Sequence, residues 1–563
     1  MKKLRWQIVI ILVTALIAGI LLVSQQPASQ PTSSKPTKGG TYTEALVGSL
    51  MRLNPVLAYH NTADQDVNRL LYSGLVRFDS NGNPQADLAE SWGYSKDGTI
   101  YNFSLRTDAK WHDGQPVTAD DVAFTVDLMR SDNSYVPEDL RNFWKEVEVV
   151  VLDKTTLQFK LPEAFAPFLD YMTFGVLPKH LLSSVSMDQM PGNSFNLKPV
   201  GSGPFKLDYL IVEEGQIKGV VLTAFEDYYG SKPYIQQVVF RYYPDSNAAM
   251  QAYRDGEVMG ISQVSGDSLT AALAEPGLSL YTGRLPQLSM VLFNLNNADV
   301  AFLQDANLRR GLLQGLNRQW MIDHVLNGQA VLADGPIMPD TWAYFSELER
   351  VAFDRDTAAQ TLKDAGYSVP ADATDGILQK DGKALSFQLM YPDDETHAAL
   401  AQAIASDWEK LGVKVELAAT PYDTLVGDSL ANRTYQAALV DLNLSGSPDP
   451  DPYPFWDMAQ ATGGQNYSQW DSRTASEYLE QARVTVDQGE RARLYRNFQV
   501  IFQKEMPALP LFYPVYSYAV SNQIQGVQIG PLFSPSDRFA NVTDWFINAS
   551  RGGNEAPAET TNP

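Results

Sequence analysis

Five histidines are the first residues to consider for chemistry: His60, His112, His180, His324 and His397. No two lie three to five positions apart, so no helical His pair can clamp a zinc or nickel ion. The chain has no cysteine, which excludes disulfides, thiolate metal sites and a thiol nucleophile. Asp441, Asn443 and Ser445 followed by Gly446 imitate the start of a calcium loop, but Pro452 stands where the bidentate glutamate belongs. Gly201-Ser202-Gly203-Pro204-Phe205 is glycine-rich, yet Pro204 lacks the N–H that a phosphate nest needs, so a tight turn entering a strand is expected. Asp120 and Asp121 sit side by side, but Thr118 three residues before Asp121 reads as a helix N-terminus with acids at its positive end. No metal, cofactor or catalytic constellation is expected.

The elements around these residues alternate between strand and helix. Tyr101, Phe103 and Leu105 fall on one side of a period-two pattern and predict a half-buried strand. Val147, Val149 and Val151, the Asp153-Lys154 turn, then Leu157, Phe159 and Leu161 predict a hairpin. Leu385, Phe387 and Leu389 alternate, Leu400, Ile404, Trp408 and Leu411 follow helical spacing, Gly412 stops the helix, and Val413, Val415 and Leu417 alternate again. That is a βαβ crossover, which requires a parallel strand pair and an α/β lobe. A long helix is predicted over 305–327, carrying Leu308, Leu312, Leu316 and Trp320.

Bulk properties narrow the class. A chain of 563 residues exceeds what one core supports. The net charge of −23 opposes binding to nucleic acid or to anionic lipid. Lys2, Lys3 and Arg5 precede an apolar run from Ile8 to Val23; as a helix, Leu4 to Ser24 reaches about 31 Å, matching the ~30 Å hydrocarbon core. Residues 1–24 are therefore a membrane anchor or a signal peptide, and the body is exported. Residues 25–40 and 551–563 are rich in polar residues and proline, and are expected as a flexible tether and a disordered tail.

One stretch carries an ordered set of motifs: Tyr72, Gly74 and Leu75; Leu88, Ala89, Ser91 and Trp92, expected as a helix end; Phe103, Leu105 and Arg106; Trp111, Asp113 and Gly114; Thr118, Ala119, Asp121 and Val122. With Gly201–Phe205, Phe225–Lys232, the Asn307–Gly328 segment and Met506–Leu511, this closely resembles the family 5 extracellular solute-binding proteins, over about residues 38–550. The resemblance implies an α/β, two-lobed type II periplasmic-binding-protein fold with an extra subdomain inserted in lobe I. Lobe I would take 41–285, with the subdomain at about 60–190, lobe II 286–504, and the chain would return to lobe I over 505–550. It implies capture of peptides in an interlobe cleft, delivery to an ABC permease with its ATPase, no catalysis, and a monomer. A ligand-sensing receptor, or an importer component for a sugar, an opine-like compound or a nickel chelate, is the alternative.

For the ligand, the resemblance implies an acidic residue a few positions before an acidic-proline pair that holds a peptide's α-amino group. Asp449-Pro450 matches the pair, but the amine-binding position falls on Gly446, leaving Asp441 or Asp449 as substitutes. The cleft is expected to be lined by the segment Asp441–Trp456, by Tyr467 and Trp470, by the edge that includes Leu46 and Ser49, and by Tyr513 or Tyr516.

Overall fold

The strand Thr41–Val47 pairs in parallel with Gln237–Tyr243, from Thr41 opposite Gln237 to Val47 opposite Tyr243. Gln216–Ala224 and Phe205–Glu213 extend this half of the sheet as antiparallel neighbours. These coordinates are a computed structural model that describes residues 36–548 apart from 80–81, 340, 445–447 and 531. The candidate anchor, most of the tether, the tail and Gly446 lie outside the described residues. Among the described residues no helix is long and apolar enough to cross a membrane.

The strand Ala508–Ser521 joins the two halves of the sheet. Its first half pairs with Gln287–Phe293, and its second half pairs with Leu278–Arg284. The register slips between Ser289 and Met290, opposite the stretch that contains Pro510. Proline gives no ladder N–H, so an irregularity at that point is where a sheet tolerates it. Beyond Gln287–Phe293 follow Ala437–Asn443, Ser386–Pro392 and Lys414–Thr420. The last two are parallel, joined by the helix Glu395–Glu409, which buries Leu400, Ile404 and Trp408. Gly412, at φ +80°, takes the left-handed turn that ends the crossover. The βαβ unit is thus as its periodicity predicts.

Two large hydrophobic clusters follow from this layout. One gathers Tyr42, Leu46, Phe103, Trp111, Phe240, Tyr516, Tyr518 and Trp545; the other gathers Leu288, Leu312, Leu389, Trp408, Phe498 and Tyr513. Part of the first covers a four-stranded sheet of Ala89–Tyr94, Ile100–Leu105, Thr156–Lys160 and Glu148–Val151. The predicted strand and hairpin are here, with Tyr101, Phe103 and Leu105 inward and Phe103 edge-on to Phe159 at 5.5 Å. Leu88–Trp92, expected as a helix end, instead enters this sheet, where Trp92 pairs with Phe103; pairing with a half-buried strand overrides the local pattern.

The helix expected over 305–327 is two helices, Ala306–Gln314 and Arg318–His324. The break is chemical. Asn317 accepts from the N–H of Trp320 at 3.0 Å and donates its own N–H to Asp407 at 2.9 Å, restarting the helix in a new direction. Leu308, Leu312 and Leu316 stay buried, while Trp320 turns outward and stacks on His324 at 4.8 Å.

Thr118 and Asp121 form the predicted capping box: the Asp121 carboxylate accepts from the Thr118 N–H at 2.8 Å and, on its other oxygen, from the N–H of Lys179. Gly201–Phe205 is the expected turn. It lies so close to the end of the helix Thr62–Leu71 that a Cβ on Gly201 would stand 1.8 Å from the Leu71 carbonyl oxygen.

Candidate ligand-binding cleft

A cavity of about 1880 Å³ opens between the two clusters. One wall carries Tyr59, Asn68, Phe143, Phe165, Asp170 and Tyr171; the other carries Asp394, His397, Asp441, Tyr453, Tyr467 and Arg483. The stretch from Gln528 to Asn541 also contributes. Among the described residues, eleven carboxylates line the cavity against three arginines, Arg69, Arg77 and Arg483, and no lysine. The field in this space therefore favours cationic ligand groups.

The arginines are already engaged. Arg69 faces Asp537 at 3.5 Å, and Arg77 donates to the carbonyl of Ala86. Arg483 pairs with Asp451 at 3.0 Å and lies over two rings, Tyr453 at 4.3 Å and, from the opposite wall, Phe165 at 5.1 Å. Burial pushes the Asp451 carboxyl up to about 6, with Arg483 opposing.

Asp449 is tied into the protein. Its carboxylate accepts from the Tyr495 hydroxyl at 2.7 Å and from the N–H of Asp451 at 3.0 Å, and faces Arg491 at 3.3 Å. Burial raises its pKa, while the Arg491 charge opposes the shift. Its own N–H donates to Asp170 on the opposite wall.

The third feature is a histidine between two acids. Asp394 caps the helix Glu395–Glu409 by accepting from the N–H of His397 at 2.9 Å. The same carboxylate meets His397 Nδ1 at 2.6 Å, and Asp441 meets Nε2 at 3.3 Å. An imidazole can donate from both nitrogens only as the cation. Burial on its own would lower the His397 pKa, but Asp441 and then Asp394 outweigh it, and the net direction is upward. Asp441 also accepts from the Ser289 hydroxyl and lies within the strand Ala437–Asn443, so it is not part of a calcium loop.

Of the residues singled out from sequence, Asp441, Asp449 and Tyr467 reach the cavity wall. The others that the structure describes stand elsewhere. Trp456 and Trp470 are buried against Phe502, at 4.8 and 5.9 Å, and the Trp470 indole N–H donates to Glu505. Tyr513 is fully buried, with its hydroxyl donating to the carbonyls of Gly335 and Ile337. Tyr516 is buried and donates to the Ser262 carbonyl. Leu46 is in the core, and Ser49, though exposed, lies off the cavity wall with its carbonyl accepting from Asn61. The reason is common to the tyrosines: Ala508–Ser521 is an inner strand covered on both faces, so neither parity points into open space. Asn68, Asp170, His397 and Arg483 were not foreseen. Asn68, Asp170 and Arg483 look ordinary in sequence, and only the fold places these four in one cavity wall or the other.

The family model described as bacterial extracellular solute-binding proteins, family 5 Middle, matches residues 83–467. The chain belongs to this family. The family is one of extracellular solute-binding proteins, so this member is extracytoplasmic. The oligopeptide-binding protein AppA of Bacillus subtilis is 27% identical over 93% of this chain and 94% of its own. The structure of that AppA in complex with a nonapeptide superposes with a TM-score of 0.67 at 25% identity, over 91% of this chain and 100% of the other. NikZ from Campylobacter jejuni in complex with Ni(L-His) gives 0.68 at 25% identity, over 90% and 99%. This family 5 member thus has the two-lobed α/β fold of periplasmic binding proteins.

Proposed function

We propose that this chain captures peptides in the cavity between its lobes and delivers them to an ABC permease, whose partner ATPase supplies the energy. The observation that carries this reading is the size and lining of the cavity. Its ~1880 Å³ exceeds the roughly 300–1,000 Å³ that suits a drug-sized molecule, which leaves room for a peptide of several residues. Rings on both walls, Tyr59 and Tyr171 against Tyr453 and Tyr467, provide faces that accept varied side chains. A ligand touching both walls binds the closed form better than the open one, and that difference drives closure.

The reading takes lobe I as 41–285 and 505–550, and lobe II as 286–504. Tyr516, Tyr518 and Val520 joining the first cluster support a return of the chain. It takes the chain as a monomer held at the outer membrane face by residues 1–24, or released if they are cleaved. Within the cleft, Asp441 is the acid placed to meet a ligand amine: it meets Ser289 and His397 but its side chain stays 22% exposed, whereas Asp449 is 3% exposed and held by Tyr495 and Arg491. A metal-chelate cargo is the second reading, supported by the likeness to NikZ in complex with Ni(L-His).

Mass spectrometry of small molecules released from the purified protein, followed by thermal shift with the same molecules, tests both. A peptide at a hundred times its Kd stabilises the protein by about 2.7 kcal/mol. Stabilisation by nickel–histidine and by no peptide would replace the first reading with the second.

A further inference from the structure

The helix Thr62–Leu71 forms part of the first wall, and nearly every polar side chain on it or capping it has a protein partner. Asn61 caps the helix through Asp64 N–H. Asp64 accepts from the N–H groups of Met51 and Arg52, Gln65 donates to the carbonyls of Ala58 and Tyr59, Asp66 pairs with Arg538, and Arg69 faces Asp537. Asn68 differs. It lines the cavity, is 7% exposed, and among the described residues neither its Nδ2 nor its Oδ1 has a hydrogen-bond partner.

A buried carboxamide with both ends unpaired is costly, because each end loses water without gaining a partner. Leucine at this position would fill a similar space without that cost. The group is covered in this conformation, so meeting a ligand requires the lobes to part or the amide to turn about Cβ–Cγ.

We infer that Asn68 reads the backbone of one extended residue of the bound peptide, with Nδ2 donating to that residue's carbonyl and Oδ1 accepting from its N–H. The reasoning is one of complementarity. A carboxylate would satisfy Nδ2 and leave Oδ1 unpaired, and an ammonium would do the reverse. One extended peptide residue, whose N–H and C=O point to the same side, or a primary carboxamide presents a donor and an acceptor side by side and satisfies both. This rests on the peptide reading above and adds to it a named contact from the first lobe. The residue whose backbone lies against Asn68 is then held in one register, while the aromatic faces leave the side chains free to vary.

The test passes an equimolar library of synthetic tri- to pentapeptides over immobilised full-length protein and identifies what is retained. The retained peptide is then titrated calorimetrically into wild type, Asn68→Leu and Asn68→Asp. Two hydrogen bonds correspond to about a ten- to hundredfold loss of affinity in Asn68→Leu. Asn68→Asp keeps the acceptor and loses the donor, so it falls in between or below. The unliganded Asn68→Leu protein is expected to melt at or above the wild-type temperature, which a structural role would not allow. Replacing the peptide's amides by esters one at a time should weaken wild type at one position and leave Asn68→Leu indifferent there. Equal affinity of both variants with wild type, or a melting point several degrees lower in Asn68→Leu, overturns the assignment while leaving the peptide reading intact. If no peptide is retained by wild type, the peptide reading falls and this inference falls with it.

Discussion

The Asp170 carboxylate accepts a hydrogen bond from the backbone N–H of Asp449 at 2.6 Å, joining the two walls of the cavity at the acidic–proline pair. Asp170 follows Phe168 in a short helix packed in the first lobe, and Asp449 is held in the second by Tyr495 and Arg491. The bond exists only while the lobes are together. A hydrogen bond to a charged group is worth about 1.5–3 kcal/mol. Asp170→Ala should therefore shift the population toward the open form and weaken ligand binding roughly tenfold or more. Small-angle scattering would show a larger radius of gyration, and Asp170→Asn, which keeps an acceptor, should show less. Unchanged scattering and affinity in Asp170→Ala would mean that the contact does not control closure.

Arg538 is completely buried and holds two acids, Glu44 at 2.7 Å and Asp66 at 2.6 Å. Glu44 also accepts from the hydroxyls of Tyr42 and Tyr518. The first strand, the first-wall helix, the strand Ala508–Ser521 and the helical turn Pro535–Phe539 meet at this one guanidinium. Arg538→Met leaves two buried carboxylates without a counter-charge and should destabilise the fold by about 3–5 kcal/mol in urea denaturation. Adding Glu44→Gln and Asp66→Asn should recover much of that loss, since the unpaired charge is what costs.

His397 makes stability depend on pH. Its pKa in the folded chain is raised above the ordinary 6.5, through Asp441 and Asp394 outweighing burial. The folded state therefore binds the proton more tightly than the unfolded one. The contribution is complete below about pH 6.5 and is lost as pH rises through the folded value. His397→Gln should melt lower than wild type in mildly acidic buffer, with the gap narrowing toward pH 8 and above. A gap independent of pH would show that the imidazolium is not what is being removed.

Two glycines give a contrast in sterics. Gly201→Ala drives a methyl into the Leu71 carbonyl and should cost more than the ~1–3 kcal/mol of ordinary overpacking, because backbone must move. Gly427, in the helical turn Leu425–Leu430, has nothing within 4 Å of its would-be Cβ, so Gly427→Ala should be neutral or stabilise by up to about 1 kcal/mol. Chemical denaturation of the two variants checks the sign of each.

The amino-acid sequence determined those features whose partners lie close along the chain. Thr118 and Asp121 are three residues apart and cap the helix as read. The alternation of Tyr101, Phe103 and Leu105, the hairpin after it, and the crossover ending at Gly412 each depend on a period that one segment carries by itself. An ordered run of such motifs was enough to indicate the family and its two-lobed fold. Tertiary structure alone decided the cleft. Asp170 meets Asp449 across 279 positions and Arg538 meets Glu44 across 494, and no local pattern encodes which charge finds which. Tyr513 and Tyr516 looked like ligand walls because tyrosine suits that role, but the strand that carries them is covered on both sides and their hydroxyls are used internally. Whether a side chain serves the core or the cavity depends on what the other lobe places opposite it. That is a property of packed surfaces and not of spacing.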